Sequence, residues 1–157
     1  MVVIEMDNGR VIRIELDPKA APLTVANFEK LVREGFYDGL TFHRVIRGFM
    51  IQGGDPKGNG TGGSKEKIRG EFAANGYNNP LRHTRGVISM ARAMDPNSAS
   101  SQFFIMHQDA PHLDGSYAAF GKVVEGMDAV DEIASVKTGF QDKPVEPVVM
   151  KRVYIED

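Results

Sequence analysis

The stretch Phe42-His-Arg-Val-Ile-Arg-Gly-Phe-Met-Ile-Gln-Gly-Gly-Asp55 holds two short apolar runs around an Arg-Gly pair, and this pattern predicts a β-hairpin. With a two-residue loop, Arg44 and Gln52 would point to opposite faces, because side chains alternate along a strand. With a three-residue loop, residues 47–49, Arg44 and Gln52 would lie side by side and share a face with Met50. Three-residue hairpin loops are common, and we predict this second register.

Alternating patterns on both sides of this hairpin predict a protein built mainly from strands. The runs Val2–Met6 and 12–16 flank an Asn-Gly pair, which predicts an N-terminal antiparallel hairpin with each strand half buried. Together with that hairpin, the chain contains eight predicted strands, the others being 41–46, 50–53, 86–92, 102–107, 118–124 and 148–155.

Two segments carry helical periodicity. Four apolar positions share one face of a helix predicted over 22–34, where Pro22 suits the first turn and Gly35 the end. A shorter helix is predicted over Met127–Ala134. Strands and helices do not alternate, so a parallel sheet is not expected. We predict a mainly β fold in one domain, 1–157: a closed eight-stranded antiparallel β-barrel capped by two α-helices, since closure hides the strand edges.

Composition excludes several classes of function. The 157 residues include no cysteine, which excludes disulfides, Cys-ligated metal sites and a thiol nucleophile. A net charge of −2 argues against non-specific binding of nucleic acid. The N-terminus lacks the pattern of a signal peptide, and no run of ~18 apolar residues occurs. We therefore expect a cytoplasmic protein that binds neither nucleic acid nor membrane. Because no long apolar heptad or obvious exposed strand suggests an oligomer, we also expect a monomer.

Two sequence signals that resemble cofactor or metal sites lack the context that such sites need. Gly58-Asn-Gly-Thr-Gly-Gly63 matches the spacing of a dinucleotide-binding loop, but without the preceding strand and the following helix. None of the four histidines has the helical spacing of a zinc protease. We expect no cofactor and no metal, and interpret His43 as a hydrogen-bonded structural histidine rather than a ligand or a base.

The predicted pairing of Arg44 with Gln52 beside Met50 leaves two interpretations open. The three side chains would offer several hydrogen-bond donors, one acceptor and an apolar wall, which is an unusual combination on a protein surface. Alternatively, Arg44 is a solvated arginine on the exterior of a barrel. The spacing alone does not decide between a binding surface and a solvated face.

The opening stretch resembles the signature of the cyclophilins, and other motifs follow in the family's order. The Met-Ala-Arg-Ala-Met-Asp-Pro run, residues 90–96, and the compact length resemble bacterial members. The resemblance covers essentially the whole chain, and several long motifs at compatible spacings make it specific. The further matching motifs are Asn59-Gly-Thr-Gly-Gly63, Gly86-Val-Ile-Ser-Met-Ala91, Ser101-Gln-Phe-Phe-Ile105, Leu113-Asp-Gly115 and Phe120-Gly121.

The resemblance implies an eight-stranded barrel with two helices and the activity of a peptidyl-prolyl cis–trans isomerase, which rotates X–Pro bonds and assists protein folding. By matching position, Arg44 is the catalytic arginine and Gln52 acts with it. The implied partners are proline-containing peptides and unfolded or flexible protein segments. The implied substrate-binding residues, which form a proline pocket or contact the peptide, are Phe49, Met50, Ala91, Ala93, Gln102, Phe104 and Leu113.

Two positions depart from the family pattern. His112 stands where the best-known members carry a tryptophan that donates to cyclosporin-type drugs, so the resemblance implies at most weak binding of such ligands. Tyr117 replaces a histidine of the proline pocket and keeps a ring with a polar tip. We include both His112 and Tyr117 among the expected substrate-binding residues.

Two alternatives to an enzyme stay open. One is a non-catalytic module that binds proline-containing segments in the same groove, and the other is a purely structural barrel. The pairing of Arg44 with Gln52 favours catalysis, because docking alone would not need that guanidinium. Peptide binding without faster isomerisation would indicate the module, and the absence of both would indicate the structural barrel.

Overall fold

The computed structural model of the protein describes residues 1–157 and contains eight β-strands and two α-helices. Every predicted strand and both predicted helices are confirmed, with ends that shift by no more than two residues. Short 3₁₀ helices occupy Ala73–Asn75, Pro111–Leu113 and Phe140–Asp142. The main elements are β1 (Val2–Met6), β2 (Val11–Leu16), α1 (Pro22–Arg33), β3 (Phe42–Ile46), β4 (Met50–Gly53), β5 (Val87–Met90), β6 (Phe103–Met106), β7 (Ala119–Glu125), α2 (Met127–Ala134) and β8 (Met150–Ile155).

The strands form one antiparallel sheet in the order β3-β4-β6-β5-β7-β2-β1-β8. The sheet curls through 243° and stays open, so the prediction of a closed barrel is wrong. The edge strands β3 and β8 approach each other only near Thr41 and Val149, which form an isolated bridge. Further along β8, the N–H of Val153 donates to the Asp38 carboxylate at 2.8 Å. A side chain thus takes the hydrogen bond that a closed ladder would give to a strand.

The N-terminal hairpin forms as predicted, but β1 is not half buried. Val2, Val3 and Ile4 are all buried, so both faces of the strand are covered. On the outer face, Val3 lies between its cross-strand partners Arg13 and Tyr154. Their long side chains can cover an apolar neighbour while their polar ends stay in solvent. The alternation within β1 alone could not show that β8 would supply part of this cover.

Helix α1 packs its buried face into the main apolar core. The first turn of α1 is held by a buried carboxylate, because Glu71 accepts the backbone N–H and the hydroxyl of Thr24, both at 2.7 Å. A carboxylate at this position satisfies free N–H groups and complements the helix dipole. No helix is both long and apolar enough to cross a bilayer. The ring of Phe28 lies 5.1–5.4 Å, between centroids, from the rings of Tyr37, Phe103 and Phe120.

Candidate active site

The β3–β4 hairpin has the predicted three-residue loop. Ile46 pairs with Met50, and Arg44 pairs with Gln52. Strand β6 lies on the other side of β4 and pairs Phe104 with Gln52. Because paired residues share a face, Arg44, Gln52 and Phe104 form one row across three neighbouring strands. The local prediction of two adjacent polar side chains is therefore confirmed, and the fold adds an aromatic ring to the row.

A small apolar cluster, separate from the main core, lies beneath this row. The cluster contains the buried residues Met50, Val87, Phe104, Met106, Ala110, Leu113 and Ala119. Beside it is a cavity of about 140 Å³, which we call the site pocket. Nine residues line the site pocket, and Arg92 is the one among them that was not predicted. The predicted lining residues are Arg44, Phe49, Met50, Gln52, Ala91, Phe104, Leu113 and Tyr117.

The remaining predicted residues lie beside the site pocket. Ala93 and Gln102 line an adjoining cavity of about 310 Å³ that shares part of its wall with the site pocket. The ring of His112 lies 5.7 Å from the ring of Phe49, between centroids, at an interplanar angle of 33°. The structure thus brings the predicted side chains into one region of the surface, where their roles stay predictions.

A series of hydrogen bonds orders the polar side of the site pocket. Arg44 Nη1 donates to Gln52 Oε1 at 3.4 Å, and Gln52 Nε2 donates to Gln102 Oε1 at 2.9 Å. Gln102 Nε2 donates in turn to the carbonyl oxygens of Gly60 and Gly62 at 3.0 and 2.8 Å. The long bond to Gln52 is the only hydrogen bond of the exposed Arg44 side chain. Its guanidinium therefore keeps N–H donors for a ligand.

The glycine-rich segment 58–63 wraps a carboxylate of the chain itself. Asp55 is 1% exposed and accepts three backbone N–H groups of the surrounding loop at 2.6–3.2 Å. Burial raises the pKa of Asp55, but the backbone donors outweigh burial and hold the pKa below its ordinary value. A Cβ atom at Gly62 would collide with this carboxylate. The loop that presents two carbonyl oxygens to Gln102 is therefore organised by Asp55.

Arg92 is a pocket residue that the sequence reasoning missed. Its guanidinium carbon lies 4.8 Å from the ring centroids of both Phe72 and Tyr117. Its Nη2 and Nε donate to the carbonyl oxygen of Ser116 at 2.8 and 3.1 Å. These contacts fix the cation between two aromatic faces, where it forms a wall of the site pocket. No local pattern signals this arrangement, because both rings are distant from Arg92 along the chain.

His83 also escaped the sequence reasoning, and it supports the floor of the site pocket. Its ring stacks on Phe104 with centroids 5.9 Å apart. Its Nδ1 lies 3.0 Å from Asp114 Oδ1, and its Nε2 lies 2.8 Å from Ser89 Oγ. Burial lowers the pKa of His83, although Asp114 acts in the opposite direction. Both ring nitrogens of this buried imidazole are therefore satisfied by protein groups.

The prediction that His43 is hydrogen-bonded is wrong, although its burial fits a structural residue. This residue is 5% exposed, and neither of its ring nitrogens has a hydrogen-bond partner. The nearby Gln102 amide is engaged by other groups, as described above. Burial lowers the pKa of His43, with Lys143 and Arg44 adding to the effect and Asp55 opposing it. No group of three or more His, Asp or Glu side chains is placed to hold a metal ion.

Comparisons with known proteins identify the family to which the chain is related. The family model for cyclophilin type peptidyl-prolyl cis-trans isomerase/CLD matches residues 1–155. The chain is 53% identical over 123 residues to peptidyl-prolyl cis-trans isomerase B of Bacillus subtilis, covering 78% of this chain and 82% of that protein. It is 44% identical over 158 residues to peptidyl-prolyl cis-trans isomerase-like 1 of Gibberella zeae, covering 99% and 95%.

A solved structure is similar over nearly the whole chain. It is the crystal structure of a cyclophilin type peptidyl-prolyl cis-trans isomerase from Cryptosporidium parvum in the presence of the dipeptide Ala-Pro. The TM-score is 0.90 at 33% sequence identity, with 99% of this chain and 98% of that chain covered. The sequence match, the relatives and the shared fold lead to one conclusion. This chain belongs to the cyclophilin-type peptidyl-prolyl cis–trans isomerases.

Proposed function

We propose that the site pocket is where this chain catalyses rotation about X–Pro bonds, with Arg44 as its catalytic residue. One observation carries the proposal: a guanidinium with unused N–H donors lines a small cavity in which six of the nine lining residues are hydrophobic. The hydrophobic side chains suit a proline ring, and the donors suit the bond next to that ring. A solvated arginine would not need the apolar wall that Phe49, Met50 and Phe104 provide.

The reaction needs stabilisation of a twisted amide rather than covalent chemistry. Rotation about the C–N bond breaks amide resonance across a barrier of ~18–20 kcal/mol. In the twisted state the proline nitrogen regains a lone pair and becomes a hydrogen-bond acceptor. A guanidinium that donates to this nitrogen binds the twisted state more tightly than the planar state, which is the differential binding that lowers a barrier. Arginine suits this role because it stays charged and holds its donors in a rigid plane.

Arg44 and the site pocket can supply the transition-state stabilisation that the reaction requires. A 10⁵-fold acceleration requires about 7 kcal/mol of transition-state stabilisation. By analogy with a donor of an oxyanion hole, Arg44 would supply about 3–4 kcal/mol of this. Positioning of the ring and exclusion of water would supply the rest. Gln52 would assist by holding Arg44 and by contacting polar groups of the peptide.

The proposed substrates are proline-containing peptides and unfolded or flexible protein segments. The crystal structure of the similar Cryptosporidium protein was obtained in the presence of Ala-Pro, which supports binding of a prolyl unit. In this proposal, Ala91 and Ala93 contact the peptide backbone, Gln102 offers a polar contact, and Leu113 lines the ring pocket. Tyr117 would line the ring pocket, and His112 would shape its rim and leave only weak affinity for cyclosporin-type ligands. The active unit would be a cytoplasmic monomer with a single domain.

The test is NMR exchange spectroscopy on a short Ala-Pro-Phe peptide with and without catalytic amounts of the protein. We expect cross-peaks between the cis and trans forms to appear at mixing times at which the free peptide shows none. Shifts of the peptide signals without faster exchange would instead identify a non-catalytic binding module. A peptide that neither shifts nor exchanges faster would contradict both functions.

A further inference from the structure

A charged cluster outside the site pocket is joined to the loop that carries one of the pocket walls. We call residues 47–49, the loop between β3 and β4, the hairpin turn. The N–H of Gly48 donates to His107 Nδ1 at 2.8 Å. The backbone N–H groups of His107 and Gln108 donate to the carbonyl oxygen of Phe49 at 2.9 and 3.4 Å. The segment that follows β6 therefore holds the hairpin turn at three points.

The direction of the Gly48 bond fixes the tautomer of His107. A backbone N–H can only donate, so Nδ1 must offer its lone pair and cannot carry the proton in this arrangement. The proton of the neutral ring then lies on Nε2, which is 3.2 Å from Asp131 Oδ1. His107 thus accepts from the hairpin turn through one nitrogen, and its other nitrogen lies beside the Asp131 carboxylate of α2.

Asp131 is itself held in place by Arg85. The guanidinium makes two bonds of 2.7 Å to the two carboxylate oxygens and donates to the carbonyl oxygen of His107 at 2.9 Å. The hydrogen bonds from Arg85 lower the pKa of Asp131, so this group stays an acceptor for the Nε2 proton. A bidentate pair restricts both position and orientation. The imidazole of His107, whose side chain is 12% exposed, is therefore fixed from both sides.

The hairpin turn has few other restraints. Arg47 and Gly48 are exposed, and the turn's own bond runs from the N–H of Phe49 to the carbonyl oxygen of Ile46 at 3.0 Å. The ring of Phe49 lines the site pocket and lies beside His112. A change in the backbone at Gly48 would therefore move the Phe49 wall. Small displacements of groups that orient a substrate have large effects on rate.

We propose that His107 is a positioning residue, which holds Phe49 against the site pocket by accepting the Gly48 N–H while Asp131 and Arg85 fix its ring. The expected effect of His107 on catalysis rests on the proposed function, whereas its expected effect on the hairpin turn does not. It assigns to α2, on the far side of this cluster from the pocket, an influence on the binding of the proline ring. His107 itself touches neither substrate nor reacting atoms.

Two substitutions separate the two nitrogens of the ring. In His107→Asn the side-chain oxygen can occupy the place of Nδ1 and accept the Gly48 N–H, while the contact with Asp131 is lost. In His107→Gln the amide nitrogen can occupy the place of Nε2 and donate to Asp131, while the acceptor for Gly48 is lost. Both variants remove the imidazole, so each serves as the control for the other.

The measurements are amide hydrogen exchange at Gly48, KM and kcat for the prolyl peptide, and the melting temperature. We expect His107→Gln to speed exchange at Gly48 and to raise KM, each by about tenfold, as for the loss of one hydrogen bond. For kcat we expect a smaller change, and for His107→Asn we expect exchange and KM within about twofold of the wild type.

Three results would overturn the proposal. His107→Gln with unchanged exchange at Gly48 and unchanged KM would show that the turn does not depend on the bond. Equal impairment of both variants, or a lower melting temperature with unchanged KM, would show that His107 acts only as a structural link to α2. A wild type that fails to accelerate isomerisation would contradict the proposed function, whereas exchange at Gly48 would still test the bond to the turn.

Discussion

Arg44 is a side chain on which the proposed chemistry depends and the fold does not. It is exposed and makes a single hydrogen bond of 3.4 Å, to Gln52. We therefore expect Arg44→Ala to slow isomerisation at least ~10²-fold, as for the loss of a donor to the transition state. Stability should change by no more than about 0.5 kcal/mol, as is usual at exposed positions. NMR exchange spectroscopy and urea unfolding of the same preparation measure the two quantities.

Arg44→Lys is the matched control, because it keeps the charge and loses the planar set of donors. An activity between those of the wild type and Arg44→Ala would show that donor geometry matters in addition to charge. An alanine variant with a nearly normal rate would remove Arg44 from the catalytic role, whatever the lysine variant does.

The sequence allowed some residues of the site to be predicted and not others. The adjacency of Arg44 and Gln52 follows from the length of one local loop, so strand alternation was enough to predict it. The place of Arg92 between Phe72 and Tyr117 depends on contacts between segments distant along the chain. The unpartnered ring of His43 could not be foreseen, because a sequence does not show which polar neighbours are engaged elsewhere.

The loop around Asp55 allows a direct test of whether its backbone conformation stabilises the fold and positions Gln102. A Cβ atom added at Gly62 would collide with the Asp55 carboxylate, whose burial depends on the N–H donors around it. We expect Gly62→Ala to lower the free energy of unfolding by about 1–3 kcal/mol, the range for disturbing a buried polar group. The peptide affinity should also fall, because the Gly62 carbonyl oxygen anchors Gln102. Urea unfolding and peptide titration measure these effects.

Gly139→Ala makes the same chemical change without the collision. A Cβ atom there would meet nothing within 4 Å, and φ at Gly139 is −121°, outside the left-handed region that favours glycine. We expect this control to match the wild type in stability to within about 0.5 kcal/mol. Equal losses in the two variants would show that the collision at Asp55 is not the cause.

The strands and helices were predictable because each depends on a local period and local turn residues. The burial of their outer faces and the failure of the sheet to close into a barrel were not predictable. The outer face of β1 is buried because Arg13 and Tyr154 flank Val3 from two neighbouring strands. At the open edge of the sheet, the Asp38 carboxylate accepts an N–H of β8 that has no strand partner. Both facts depend on which strands become neighbours, and alternation within one strand does not contain that information.

For the molecule as a whole, two buried histidines link stability to pH. Burial lowers the pKa values of both His43 and His83 below the ordinary value near 6.5. The unfolded chain therefore binds protons at a pH at which the folded chain does not. Stability should be constant above about pH 6.5 and should fall as the pH decreases below it. The carboxyls of Asp55, Asp114 and Asp131, whose pKa values are lowered, add a separate loss near and below pH 4.

His43→Leu tests this link, because it removes one of the two groups without leaving a partner unsatisfied. His83→Leu would strip Asp114 and Ser89 of their partner and destabilise the fold at every pH. Each histidine that stays neutral in the folded state changes the free energy of unfolding by up to about 1.4 kcal/mol per pH unit.

We expect urea unfolding between pH 7.5 and 5.5 to show a shallower loss of stability for His43→Leu than for the wild type. The variant should be at least as stable at pH 7.5, because an unpaired buried polar group has been removed. Parallel curves for the two proteins would mean that His43 is protonated in the folded state as readily as in the unfolded chain.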